Sequence, residues 1–81
     1  MSNQAKRSLE MGEEYPYDGP GKSKDWAHLA ARGILADLQD RRGIKHEFHG
    51  VDEDIRKEII QEMSDIIKEA YKTYNKSLNT D

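Results

Sequence analysis

One long apolar stripe constrains this chain more than any other feature of its sequence. Ile55, Ile59, Met63, Ile66, Ala70, Tyr74 and Leu78 recur at spacings of four, four, three, four, four and four. That period places them on one face of a helix. Asp52 suits the N-cap, with Glu53 and Asp54 in the first turn, where negative charge is favoured. Lys68, Lys72 and Lys76 gather toward the C-terminal end, where cations suit the dipole. Glu53 and Lys57 form a supporting i,i+4 pair. The expected helix runs from about Asp52 to Asn75 or slightly beyond. Ile60, Ile67 and Tyr71 widen its stripe to one side.

A second helical pattern precedes it, from about Ser23 to Arg42. Ser23 is the expected N-cap, and Asp25 follows in the first turn. In the run WAHLAARGILADLQDRR, Trp26, Leu29, Ala30, Gly33, Ile34 and Leu38 fall close to a helical period. Ala27, Ala30, Ala31 and Gly33 carry little bulk, so another helix can approach closely. Gly33 costs roughly 1 kcal/mol relative to alanine inside a helix, and a close crossing there would give it a purpose. Gly43 is the expected C-terminal stop.

Residues 44–50 connect the two patterns, with Ile44 and Phe48 expected over the end of the pair. A connection this short favours antiparallel neighbours. The expected architecture is all-α: an antiparallel two-helix hairpin over 23–81, preceded by a flexible tail over 1–22. The tail holds both prolines and three of the six glycines. Its YPYDGPG stretch reads as turns or extended chain, with at most a short helical turn around residues 4–11. Tyr15 and Tyr17 can dock on the helical body or on a partner.

Length makes a lone hairpin marginal. The chain has 81 residues, one domain at most. Below about 70–80 residues a single core rarely supplies more than ~3–5 kcal/mol. With no cysteine, disulfides and thiolate zinc sites are excluded. The stripe of the 52–75 helix is wider than one neighbour can cover, which predicts self-association, with a dimer favoured and a bundle as the result. The self-association surface is Ile55, Ile59, Ile60, Met63, Ile66, Ile67, Ala70, Tyr71 and Tyr74. The alternative cover is the tail, with its two tyrosines, in a monomer.

Thirteen basic and sixteen acidic residues give a net charge of −3. That argues against general nucleic-acid binding, whose affinity comes mostly from phosphate neutralisation. No apolar run approaches the roughly 18 residues of a membrane span, and no signal-peptide pattern opens the chain. A cytoplasmic location without membrane contact is expected.

Chemically capable side chains are densest at the expected hairpin turn. Arg41, Arg42, Lys45, His46 and His49 lie there, beside Asp40, Asp52 and Asp54. Arginines fork onto phosphate or carboxylate, so this cluster, with Tyr15 and Tyr17, is the candidate binding surface. The plainer reading is local pairing and helix capping. His46 and His49 with Asp52 or Asp54 have a metal-like spacing, but they fall short of a built site, and no metal or cofactor is expected. His28 reads as a partly exposed helix residue. Glu62 and Asp65, with Glu58 one turn earlier, faintly suggest a magnesium-dependent nucleotide hydrolase. Carboxylates on a solvated helix face are the simpler account. The chain has no nucleophile elbow, P-loop, zinc-protease or dinucleotide motif, so no catalysis is expected. Trp26 reads as a core or interface anchor.

The runs WAHLAARGILADLQDRRGIKHEF and VDEDIRKEIIQEMSDII, within residues 26–67, resemble short helical proteins carried by phages and prophages. The resemblance brings no activity and no functional residue. It implies a setting in which small accessory proteins bind, block or sequester something of the host's. The expected function is a non-enzymatic, phage-type inhibitor acting on a host protein by contact. The alternative is an oligomeric sponge holding a small nucleotide-like anion near the basic cluster.

Overall fold

The structure, a computed structural model, describes residues 3–41 and 50–78, and every regular element among them is a helix. There are three: α1 (Asn3–Glu14), α2 (Trp26–Gln39) and α3 (Glu53–Leu78). The expected two-helix hairpin is therefore corrected to three helices. The additional one lies in the segment read as a tail, where at most a short turn was expected. Pro16 explains where α1 stops, because the residue before a proline is pushed out of helical geometry. Tyr15 N–H still bonds the Met11 carbonyl at 2.8 Å, closing the last turn.

The N-cap of α2 is Asp25 and not Ser23. Asp25 is extended, with φ −160° and ψ −176°, and its carboxylate accepts from the His28 N–H at 2.9 Å. Its second oxygen holds Lys68 Nζ at 2.7 Å, so one residue both caps α2 and ties it to α3. At the other end α2 stops at Gln39, short of Arg42. Asp40 N–H is shared between the Ala36 and Asp37 carbonyls, and Arg41 N–H bonds Leu38 O at 3.2 Å. This is the tightened geometry of a closing turn. Gly43, Ile44 and Phe48 lie outside the described residues. At α3 the Asp52 carbonyl accepts from Arg56 N–H at 3.0 Å, as the N-cap position should, and Glu53 and Asp54 fill the first turn.

α1 and α3 each pack on α2 and not on each other. α2 and α3 run antiparallel, with Asp25 and Trp26 at the start of α2 meeting Lys68 and Tyr71 of α3. Ala31, Leu35 and Ile60 form the buried core, with Tyr17, Leu38, Met63 and Ile67 packed around them. Among the described residues, Leu35 and Ile60 are the large side chains that are fully buried. At about 1.5–3 kcal/mol for each large apolar side chain buried, this is a small core.

The expectation for Gly33 holds, with a different partner. A Cβ on Gly33 would sit 2.8 Å from the end of the Leu9 side chain and 3.3 Å from Leu9 Cα. A Cβ on Gly12 would lie 2.6 Å from the Arg32 carbonyl group and 2.8 Å from Gly33 N. The two glycines form the crossing point of α1 and α2, and α3 is not involved. Among the described residues no helix is long and apolar enough to cross a membrane.

Candidate functional site

Two features stand out once the helices are placed. One is a buried polar network that fastens the loop after α1 onto α2. The other is the outer face of α3.

The network centres on Arg32, which is only 4% exposed. Its Nε donates to Asp18 Oδ1 at 2.9 Å. One terminal nitrogen donates to the Gly21 carbonyl at 2.9 Å, Ser23 Oγ at 3.3 Å and Glu13 at 3.5 Å. The other reaches the Gly19 carbonyl at 3.4 Å. His28, also buried, lies one turn earlier on the same face. Its Nδ1 accepts from Lys24 N–H at 2.9 Å, so Nε2 carries the proton that bonds Asp18 Oδ2 at 2.7 Å. Glu13 accepts from the Ser23 N–H at 2.8 Å and from the Ser23 hydroxyl. Gly19 and Gly21 adopt φ of 109° and 110°. That geometry, which only glycine takes without strain, turns both carbonyls onto one guanidinium.

The electrostatics match the geometry. Burial pushes the Asp18 carboxyl upward, but the hydrogen bonds from His28 and Arg32 outweigh it and hold the group below its ordinary value. Glu13 is held low mainly by the Ser23 hydroxyl and N–H, with Arg32 adding to them. Lys68 lowers Asp25, and Asp25 in turn raises Lys68. Each charged member of the Arg32 network faces an opposite charge or a donor. The arrangement is a clamp, with no side chain left as a free nucleophile.

A second clamp is Arg56 of α3. Its Nε donates to the Tyr17 carbonyl at 2.9 Å, a terminal nitrogen donates to Val51 O at 2.9 Å, and the guanidinium lies 5.2 Å from the Tyr17 ring centre.

The outer face of α3 corrects the reading of its stripe. Ile60 and Ile67, expected to lie beside the seam, are the residues that pack on α2 with Met63. Tyr71 meets Trp26 edge to face, with ring centres 5.4 Å apart. The longer row points away. Ile55, Ile66 (58% exposed), Ala70 and Tyr74 (66% exposed) face outward, and Ile59 is half-buried at its edge. In the buried row Ile60 packs with Ala31 and Leu35 of α2, and Ile67 and Leu38 lie against that cluster. Ser64 is 3% exposed and allows close approach.

The other candidate residues separate. Arg41 is exposed and paired with Asp37 at 3.1 Å, the local pairing already weighed for it. Arg42, Lys45, His46 and His49 lie outside the described residues. Tyr15 is exposed, whereas Tyr17 packs against the core. His28 is corrected from partly exposed to buried. Trp26, read as an anchor, is half exposed above Tyr71. Glu58, Glu62 and Asp65 are exposed, and Asp65 accepts from Gln61 at 3.0 Å. Among the described residues no group of three His, Asp or Glu side chains converges on a point that could hold a metal.

The chain has no significant match among protein-family models, curated proteins or solved structures.

Proposed function

We propose that this chain is a non-enzymatic binding protein that works as a symmetric dimer, two copies pairing antiparallel through the outer faces of α3. The observation that carries this reading is the exposed row Ile55, Ile66, Ala70 and Tyr74, with half-buried Ile59 at its edge, apolar residues spread along a 26-residue helix and turned to solvent. Large apolar side chains kept in water forgo roughly 1.5–3 kcal/mol each, and the small core makes that loss matter. Charge supports the antiparallel sense. In the first half of α3 Glu53, Asp54, Glu58, Glu62 and Asp65 outnumber Arg56 and Lys57, and in the second half Lys68, Lys72 and Lys76 outnumber Glu69. A two-fold axis near Ile66 lays the acidic half of each copy along the basic half of the other, and the contact is self-complementary.

The wider role, a phage-type accessory inhibitor with a host protein as its partner, rests on the resemblance of residues 26–67. Of the contacts expected to serve it, Arg41 and Tyr15 are exposed and Tyr17 belongs to the core.

Sedimentation velocity across a concentration series tests the pairing. The wild type should shift from monomer to dimer with concentration. Ile66→Glu should stay monomeric with its helical circular dichroism intact, since Ile66 is exposed. A wild type that remains monomeric at high micromolar concentration refutes the proposal.

A further inference from the structure

The loop between α1 and α2 does more than fasten α1. Together with α2 and α3 it borders a partly open cavity of about 500 Å³, lined by Asp18, Gly19, Pro20, Lys22 and Lys24 of the loop, His28 and Arg32 of α2, and Lys57, Ile60 and Gln61 of α3. We propose that this cavity binds a small phosphate-bearing anion carrying two or more negative charges. The site is separate from the outer face of α3 and does not depend on pairing there.

Charge is the first argument. Four permanent cations, Lys22, Lys24, Lys57 and Arg32, line the cavity against one carboxylate, Asp18, in a chain whose net charge is −3. Asp18 does not offset the lysines, because both of its oxygens are engaged, one by His28 and the other by Arg32. Glu53 is the next carboxylate, its Oε1 lying against Gly19 at the edge. Among the described residues Lys22, Lys24 and Lys57 form no ion pair, while Arg32, Arg41 and Lys68 each do. A bound anion would gain from three lysines that border one space and make no ion pair among the described residues.

The second argument is the balance of donors and acceptors. An anion site needs free donors and few free acceptors. Arg32 takes the carbonyls of Gly19 and Gly21, which would otherwise present negative oxygen to the cavity. Gln61 also lines the cavity, and its side-chain carbonyl suits a hydroxyl of the ligand. The lysine ammoniums keep their protons for phosphate oxygens, which lysine binds as a point charge. A volume near 500 Å³ falls in the range of about 300–1,000 Å³ typical of small-molecule sites. It is enough for a nucleotide or a phosphorylated metabolite. Pro20 and Ile60 supply the apolar wall.

Isothermal titration of the full chain with pyrophosphate and with ADP, and with adenosine as an uncharged control, tests this. Saturable binding of the two anions is expected, weakened by added salt and absent for adenosine. Replacing all three exposed lysines (Lys22→Gln, Lys24→Gln, Lys57→Gln) should weaken it about tenfold or more, with the melting temperature unchanged. Replacing two exposed cations of α1 (Lys6→Gln, Arg7→Gln) should leave it intact. Should the triple variant unfold, Lys57→Gln alone serves, with amide shifts on pyrophosphate addition expected at residues 19–24 and 57–61. Absence of saturable binding at millimolar anion overturns the proposal. Equal weakening by the α1 variant also overturns it, because the attraction would then be diffuse.

Discussion

Gly12 makes the sharpest demand of any single residue. A methyl group there meets the Arg32 carbonyl and Gly33 nitrogen, which are backbone and cannot swing away. Gly12→Ala should therefore destabilise the protein by about 1–3 kcal/mol through overpacking, although alanine is the better helix former by about 1 kcal/mol. Gly33→Ala meets first the movable end of Leu9 and should cost less. Urea unfolding of both variants measures the order, and a neutral Gly12→Ala would contradict the close crossing. Arg32→Ala should cost about 3–5 kcal/mol, the usual result of removing one partner from a buried ion pair, enough to leave a domain this small largely unfolded at ambient temperature. Acid should act on the same network. Glu13 and Asp18 sit below their ordinary values of 4.5 and 3.8 in the folded protein. Their contribution is thus complete above those values and is lost as pH falls through the lower folded ones. The urea midpoint should drop from about pH 4.5 downward, and Asp18→Asn should flatten that drop. Little of this was legible beforehand. Arg32 sits in a run of small and apolar residues, at four residues from His28, and a charge in that setting is the one signal of a buried clamp. Its partners Glu13, Asp18 and the loop carbonyls are distant in sequence and have no pattern.

At the level of elements, α3 was the most legible. Its period and acidic first turn placed it within a residue at the start and three at the end. The face it buries was read the wrong way round, for a physical reason. Periodicity reports that a helix has an apolar stripe; it does not report which edge of a wide stripe meets the neighbour. α2 brings Ala31, Leu35 and Leu38 to the contact, and these pack on the row of Ile60 and Ile67, which leaves the bulkier row outside. The two rows should respond oppositely to truncation. Ile60→Ala should lower stability by about 2–5 kcal/mol, as buried isoleucine does. Ile66→Ala should barely change the stability of the monomer. Thermal melts at low protein concentration separate these outcomes, and equal effects would mean the assignment of faces is wrong. α1 was missed because its contact with α2 is made by the small residues Ser8 and Gly12, with Leu9 against Gly33, in a helix that is otherwise mostly polar. Small-residue packing leaves no hydropathic trace.

At the scale of the molecule, the described residues form a three-helix unit, and among them the longest helix is covered along one side only. Two large core side chains, two arginine clamps and a glycine crossing hold α1 and α3 against α2. Among the described residues that set of contacts is slight for a small protein without disulfides. It accounts for a shape 47 Å long against 25 Å across, in which α3 runs beyond the start of α2 and carries Tyr74 into solvent. A partner on the outer row would complete the fold as well as serve function, and stability should therefore rise with protein concentration. Small-angle scattering or sedimentation of the full chain over a concentration range tests this most directly. The account predicts a dimer that dissociates on dilution and is abolished by Ile66→Glu. A folded monomer at every concentration, unchanged by that substitution, would contradict it.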